Sequence, residues 1–118
     1  MRVFFYLSSC DTCKRIMKDL QLDSSIEKID IKKNSITESQ IDELNKLSQS
    51  YEALFSKRAQ LYKQKDLKDQ ALKDKDYRDL ILDHYTFLKR PILVYGKNIF
   101  IGNSSRIIEA AKVFFNEQ

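Results

Sequence analysis

Hydrophobic residues enter this chain with two different periods. Val3-Phe4-Phe5-Tyr6-Leu7 is an unbroken run of β-branched, aromatic and aliphatic residues, as expected for a short strand buried on both faces. After Ser8-Ser9-Cys10 the period changes. Cys13, Ile16, Met17 and Leu20 fall at i, i+3, i+4 and i+7, the stripe of an amphipathic helix, with Lys14, Arg15, Lys18 and Asp19 on the opposite side. Ile26, Ile29 and Ile31 predict a second strand. Strand, helix and strand make a β-α-β unit with parallel pairing and a right-handed crossover. The cysteines then sit at the strand-to-helix turn.

From Ser35 to Leu88 the pattern is helical. Thr37 with Gln40 reads as a capping box, continued by the apolar positions Ile41, Leu44 and Leu47. Ser50 is placed to cap a short turn holding Tyr51, Leu54 and Phe55. Lys63 to Asp79 interleaves Lys and Asp around Leu67, Ala71 and Leu72, which predicts a solvated helical face laced with opposite charges. Asp76 is the expected cap of a further helix with Tyr77, Leu80, Ile81, His84 and Leu88 facing the core. Pro91 ends the block. Ile92 to Tyr95, a Gly96-Lys97-Asn98 loop and Ile99 to Ile101 predict an antiparallel hairpin. Asn103, Ser104 or Ser105 then caps a last helix with Ile107, Ile108, Ala111, Phe114 and Phe115 inward. The order β-α-β, helical block, β-β-α predicts an α/β fold with a mixed four-stranded sheet.

Composition narrows this picture. In 118 residues, 42% are apolar and 32% charged, with two Gly and one Pro, which excludes collagen-like, low-complexity and broadly disordered classes. One domain of ordinary size is expected. A net charge of +4 comes from interspersed acids and bases, so no direct sequence-specific nucleic-acid footprint is expected. No apolar run approaches the roughly 18 to 20 residues of a membrane span. The apolar stretch after Met1-Arg2 is also shorter than the roughly 7 to 15 residues of a signal peptide's core. With two cysteines and no export signal, a cytoplasmic, reducing location and a monomeric chain are expected.

Cys10-Asp11-Thr12-Cys13 carries the chemistry. A C-x-x-C at the start of a helix that follows a buried strand is what thiol–disulfide exchange requires, because unpaired N–H groups and the helix dipole favour a thiolate there. Lys14 and Arg15 add positive charge, which Asp11 opposes. Cys13 lies on the apolar stripe and Cys10 ahead of it, which assigns Cys10 as attacking thiol and Cys13 as resolving thiol. Zinc is disfavoured, since it usually takes four ligands and the only histidine, His84, lies far along the chain on a core-facing stripe. The second signal is Lys89-Arg90-Pro91-Ile92. A sole proline opening a buried strand, in a loop that faces the cysteine turn, predicts a cis Arg90–Pro91 bond that presents backbone to a disulfide partner. Arg90 would lie near Cys10, where a guanidinium stabilises a thiolate or clamps an oxyanion.

These residues, with Leu54-Phe55-Ser56-Lys57-Arg58, Tyr62-Lys63, Leu88 to Ile92 and Ile101-Gly102, resemble the family of glutaredoxin-coupled arsenate reductases (ArsC) and Spx-type transcriptional regulators over nearly the whole chain. The resemblance implies a thioredoxin-like fold with an all-helical insertion at about residues 35–88 inside a single domain spanning 1–118. Cys10 resembles the reductases' nucleophile and Arg90 their oxyanion-binding arginine before a cis-proline; Arg58 and Pro91 are the expected substrate contacts. No bound cofactor is implied, with glutathione, glutaredoxin or thioredoxin as electron donor and a thiol redox partner or small oxyanion as substrate. Two positions depart from the reductases: Ser56 and Asn103 stand where they place arginines, so an oxyanion loses two of three cationic partners. Thiol–disulfide chemistry is therefore the reading, ahead of arsenate reduction itself. The Ser56-x-Arg58 pattern also resembles the Spx-type redox-sensing regulators, which bind the C-terminal domain of the RNA polymerase α subunit but carry a glycine where Ser50 stands here. That regulator is the alternative reading.

Overall fold

The computed structural model describes residues 1–118. Its elements are, in chain order, β1 (Arg2–Tyr6), α1 (Asp11–Asp19), β2 (Glu27–Asp30), α2 (Glu38–Ser48), α3 (Gln60–Gln64), α4 (Asp74–Asp83), β3 (Ile92–Tyr95), β4 (Asn98–Ile101) and α5 (Ser105–Asn116), with 3₁₀ turns at Glu52–Leu54, Leu67–Asp69 and Tyr85–Phe87. They form two compact units: Met1–Asn34 with Arg90–Gln118, and Ser35–Lys89. No helix is long and apolar enough to cross a membrane.

The first unit is an α/β sheet in the order β2-β1-β3-β4. β1 runs parallel to β2 and antiparallel to β3, and β3 pairs antiparallel with β4, so the sheet is mixed, as the element order predicts. On one face Phe4 and Leu93 pack with Ile16 of α1, Ile26 and Ala111 of α5. Val3, Phe5, Ile92 and Val94 alternate with them and are buried too, which is why both strands read as continuous apolar runs rather than alternating ones. The hairpin loop is one residue shorter than the sequence suggests: Asn98 pairs with Tyr95, leaving Gly96-Lys97 as a two-residue turn. Gly96 has φ +64°, at the first central position, where such turns take glycine. Ser104 is the residue that caps α5, its hydroxyl accepting the Ile107 N–H at 3.3 Å.

The second unit is helical. The capping box forms as expected: Thr37 Oγ1 accepts the Gln40 N–H at 3.1 Å and Gln40 Oε1 accepts the Thr37 N–H at 3.0 Å. Ser50 Oγ takes the Ala53 N–H at 3.2 Å, starting the turn of Glu52–Leu54. Phe55 follows and is 1% exposed. Its ring meets Tyr62, Tyr77 and Phe87 at centroid distances of 5.8, 4.9 and 5.2 Å. Its backbone pairs with Leu88 in a short antiparallel bridge. On the exterior Arg78 forks onto Asp42 at 2.9 and 3.2 Å, and the Tyr51 hydroxyl donates to the same carboxylate at 2.6 Å. These donors hold the Asp42 carboxyl down at about 2, the Arg78 bond being the largest cause.

Three sequence expectations need correction here. Lys63 to Asp79 is not one helical face: α3 ends after Gln64, Asp66 takes a left-handed φ of 51°, and only a 3₁₀ turn separates it from the extended approach to α4. Dense charged residues with few buried side chains give that stretch little to pack, and helices this short need packing. Asp76 does not cap the next helix by preceding it; α4 begins at Asp74, and Asp76 sits in its first turn, its carboxylate reaching back to the Lys73 N–H at 2.8 Å. A carboxylate serves the helix start from either place. His84 and Leu88 are not on the helical stripe, because α4 stops at Asp83. His84 is extended and its Nδ1 accepts the Thr86 N–H at 3.1 Å, capping the turn of Tyr85–Phe87, while its ring stacks on Tyr85.

Replacing Phe55 with Ala is expected to lower the unfolding free energy by about 3 to 5 kcal/mol, the cost of emptying a fully buried aromatic site. Tyr77→Phe, which keeps the ring and loses only a hydroxyl, is expected to cost less than about 1.5 kcal/mol; denaturant unfolding of both variants checks the ranking. A second outcome concerns pH. The Asp42 carboxyl is depressed, so its contribution is complete above the unfolded value of about 3.9 and is lost as pH falls through about 2. Asp42→Asn should flatten the acid side of the stability profile in that window and leave its slope at neutral pH unchanged.

Candidate functional site

The sheet register brings four chain segments to one end. β1 ends at Tyr6, opposite Asp30 at the end of β2; Phe5 pairs with Ile92 at the start of β3; Ile92 pairs with Ile101 at the end of β4. The cysteine turn, Arg90-Pro91 and Gly102 therefore extend from the same edge of the sheet.

Beyond β1 the Leu7 carbonyl accepts the Cys10 N–H at 2.9 Å, which turns the chain, and the Cys10 carbonyl accepts the Lys14 N–H at 3.2 Å, which starts α1. Cys10 is thus the N-cap of α1, in extended conformation, with its Sγ accepting the Cys13 N–H at 3.4 Å. A cysteine here does what Ser or Asp does at other helix starts, and its sulfur receives an N–H donor and the positive end of the helix dipole. Cys10 is half-buried and Cys13 buried, and both thiols are free. Burial pushes the Cys13 thiol up to about 11; a backbone bond with Leu7 opposes this, the adjoining Cys10 adds to it, and the positive charge of Arg90 opposes it slightly. At neutral pH Cys13 is protonated and shielded while the Cys10 sulfur is reachable.

The Arg90–Pro91 peptide is cis. Pro91 is buried and Arg90 half-buried, and the Arg90 guanidinium is close enough for its field to reach Cys13. The Pro91 carbonyl accepts the Gly102 N–H at 2.9 Å. Gly102 has φ +93°, a left-handed value that disfavours side-chain-bearing residues, so a glycine at the end of β4 keeps that tether in place. The Lys14 contribution expected from sequence is small: its ammonium pairs with Asp11 at 3.9 Å and both side chains are exposed, where screening leaves little field.

Cys10, Cys13, Arg90 and Pro91 are thus together in the α/β unit. Arg58 belongs to the helical unit, exposed between Phe55 and α3, with Ser56 half-buried beside it, its N–H donated to the Phe87 carbonyl at 2.7 Å. Asn103 is exposed just after Gly102. No three His, Cys, Asp or Glu side chains gather as metal ligands. Sequence reasoning passed over Asp30, which is 6% exposed at the cysteine end of the sheet; the signal was an acid inside Ile29-Asp30-Ile31, where a buried strand calls for apolar residues.

Iodoacetamide at neutral pH is therefore expected to modify Cys10 at least about tenfold faster than Cys13, since the thiolate is the reactive form and its fraction falls tenfold per pH unit below the pKa. Peptide mass mapping over time checks this. Equal rates would contradict the asymmetry of burial.

Comparison with known proteins places this geometry. No curated protein matches the chain at a significant level. Among solved structures, a possible arsenate reductase from Streptococcus mutans is 29% identical with a TM-score of 0.69, covering 89% of this chain and 92% of its own. An ArsC family related protein from Bacteroides fragilis is 20% identical with a TM-score of 0.75, covering 94% and 97%. An arsenate reductase from Vibrio cholerae is 21% identical with a TM-score of 0.69, covering 93% of each chain. The last two establish likeness of fold, the thioredoxin-like arrangement of the ArsC proteins. The model of the ArsC family matches residues 5–111, which takes in the cysteine turn, the helical segment, the cis-proline loop and most of α5, and the chain therefore belongs to the ArsC family.

Proposed function

We propose that this protein is a thiol–disulfide oxidoreductase in which Cys10 attacks, Cys13 resolves and Arg90 supplies the cationic field. The observation that carries this reading is the capping of α1 by the Cys10 sulfur, with a protonated, buried Cys13 one turn behind it. In the forward step the Cys10 thiolate attacks a partner disulfide, forming a mixed disulfide and expelling one partner thiolate, which takes up a proton. Cys13 then gives up its proton and attacks the Cys10 sulfur, closing the Cys10–Cys13 disulfide and releasing the second partner thiol. The partner gains two electrons and the protein loses them. Two glutathione molecules, or a glutaredoxin or thioredoxin, return the pair to the dithiol. Pro91 offers its backbone to the incoming chain.

Family membership and the named neighbours also raise arsenate as a substrate. Serine and asparagine at positions 56 and 103 remove two cations from the set that the resemblance calls for, which favours a thiol substrate over a tetrahedral oxyanion. The absence of a charge-neutralising trio matters because a multiply charged anion needs several bidentate donors to leave water.

Capture tests the reading. A Cys13→Ser variant, unable to resolve, should accumulate mixed disulfides through Cys10 with thiol proteins or glutathione, and Cys10→Ser should capture none. A stable, thiol-independent complex with the α subunit of RNA polymerase and no mixed disulfide would overturn it in favour of a regulator. Arg90 is tested separately. Arg90→Ala should slow Cys10 alkylation at neutral pH by a few-fold, and Arg90→Lys should recover part of the rate because the charge survives and only the planar fork is lost. Alkylation rates measured against pH for the three proteins check this, and superimposable curves would remove Arg90 from the site.

A further inference from the structure

The sheet ends in two edge strands, and they are built differently. β2 carries charge at three of its four positions, Glu27, Lys28 and Asp30, and charge is one device that keeps an edge strand from pairing with another chain. β4, at the other end of the order β2-β1-β3-β4, is Asn98-Ile99-Phe100-Ile101, with no charge and no proline. Its backbone phase follows from two hydrogen bonds. The Gly102 N–H donates to the Pro91 carbonyl at 2.9 Å, and the Gly96 N–H donates to the Met1 carbonyl at 2.9 Å. With Ile92 opposite Ile101 and Tyr95 opposite Asn98, antiparallel alternation aims the N–H and C=O groups of Asn98 and Phe100 at β3. Those of Ile99 and Ile101 therefore point outward, away from the sheet. The edge is apolar on both faces. Phe100 lies on the face that α5 covers, its ring 5.6 Å from Phe114, and Ile99 and Ile101 pair with Val94 and Ile92 on the other. Ile99, Phe100, Ile101 and Phe114 are each only half-buried.

We propose that β4 is a self-pairing edge, on which a second copy of this chain docks its own β4 antiparallel to join the two sheets about a two-fold axis. The outward groups are arranged for that symmetry. Ile99 and Ile101 flank Phe100 equally, so an axis through Phe100, perpendicular to the sheet, sets each Ile99 opposite Ile101 of the second copy. Each such pair exchanges two N–H···O=C bonds, and every outward backbone group of β4 is used. The two Phe100 side chains then meet across the axis on one face, a favourable aromatic cross-strand pair. Lys97 falls opposite Asn103, so no like charges face each other across the junction. Such an interface is isologous and closes at two copies. Short strands bury little area, which makes the pair weak, and the single chain is the state at low concentration. The axis sends the two cysteine turns to opposite ends of the joined sheet. Pairing is thus independent of the thiol–disulfide function proposed above.

Sedimentation equilibrium of the full chain reads the association, with reductant present to remove disulfide-linked dimers. The mass should rise from 14.0 kDa towards twice that value between about 10 µM and about 1 mM, the range of weak association. Amide exchange followed by NMR locates the contact. The Ile99 and Ile101 N–H groups should exchange about threefold more slowly at about 1 mM than at about 50 µM, the fall in monomer fraction for a Kd of about 100 µM. Phe100, whose N–H faces β3, should exchange at one rate throughout. Ile99→Pro removes an outward N–H that the single chain does not use, a place where edge strands accept proline. It should keep the wild-type circular dichroism and raise Kd about thirtyfold, the effect of two hydrogen bonds lost per pair of chains. A mass that stays at one chain up to about 1 mM overturns the proposal. So does a dimer whose Ile99 and Ile101 amides exchange equally fast at both concentrations, since another surface then holds it. A folded Ile99→Pro that associates as tightly as wild type is also a refutation. If that variant does not fold, the exchange rates of the wild-type chain decide.

Discussion

The pairing of β1 is the constraint on which the site depends. As the second strand of the order β2-β1-β3-β4 it pairs on both sides, parallel to β2 and antiparallel to β3. An antiparallel partner brings the end of one strand to the start of the other, so the turn leaving β1 and the loop entering β3 come to the same edge. Residues 10 and 90 are eighty positions apart in the chain, and their segments leave the same end of the sheet because Phe5 faces Ile92. A slip of one residue would invert every side chain on β1 and set Phe4 and Phe5 against each other's packing partners. Both are fully buried, and burying each stabilises by roughly 1.5 to 3 kcal/mol. The apolar core therefore sets the register, and the register sets the chemistry.

On that scaffold the helix start does the electrostatic work. Cys10 occupies a cap position whose ordinary occupant is an oxygen, and the sulfur inherits both the N–H donor and the dipole. Cys13, one turn on, falls on the side of α1 that packs against the sheet, and burial keeps it a thiol. Two chemically identical side chains three residues apart thus differ in role because one precedes the helix and the other is on its inner face. Arg90 adds its field from the loop that enters β3, and Gly102 anchors the loop that carries Pro91. The helical unit is held by the ring cluster around Phe55 and the Asp42–Arg78–Tyr51 network.

Much of this was legible in the chain because the signals are local. Period and composition mark β1, α1, the capping box at Thr37 and the hairpin after Pro91; C-x-x-C ahead of an apolar stripe marks the two thiols and their order. These depend on neighbours within four residues, and the order of strands and helices already implies a mixed sheet. Where local signals compete, the chain was ambiguous. The lysine- and aspartate-rich stretch from residue 63 to 79 is compatible with one helix by charge spacing, yet it breaks at Asp66 because it buries too little to be held. Asp76 serves α4 from inside its first turn, and His84 turns the chain rather than continuing the helix.

What only the tertiary structure decided is which distant groups share the sulfur's surroundings. The strand register tied Pro91 to Gly102 and put a buried carboxylate at Asp30 beside the end of β1. None of these is encoded by spacing, because each joins residues whose separation in the chain carries no period. The sequence by itself determined the reactive pair and the elements that hold it, through propensity, capping and apolar periodicity. The folded sheet determined the charges and anchors around that pair, since burial and Coulomb interactions depend on distances that exist only once the strands have paired.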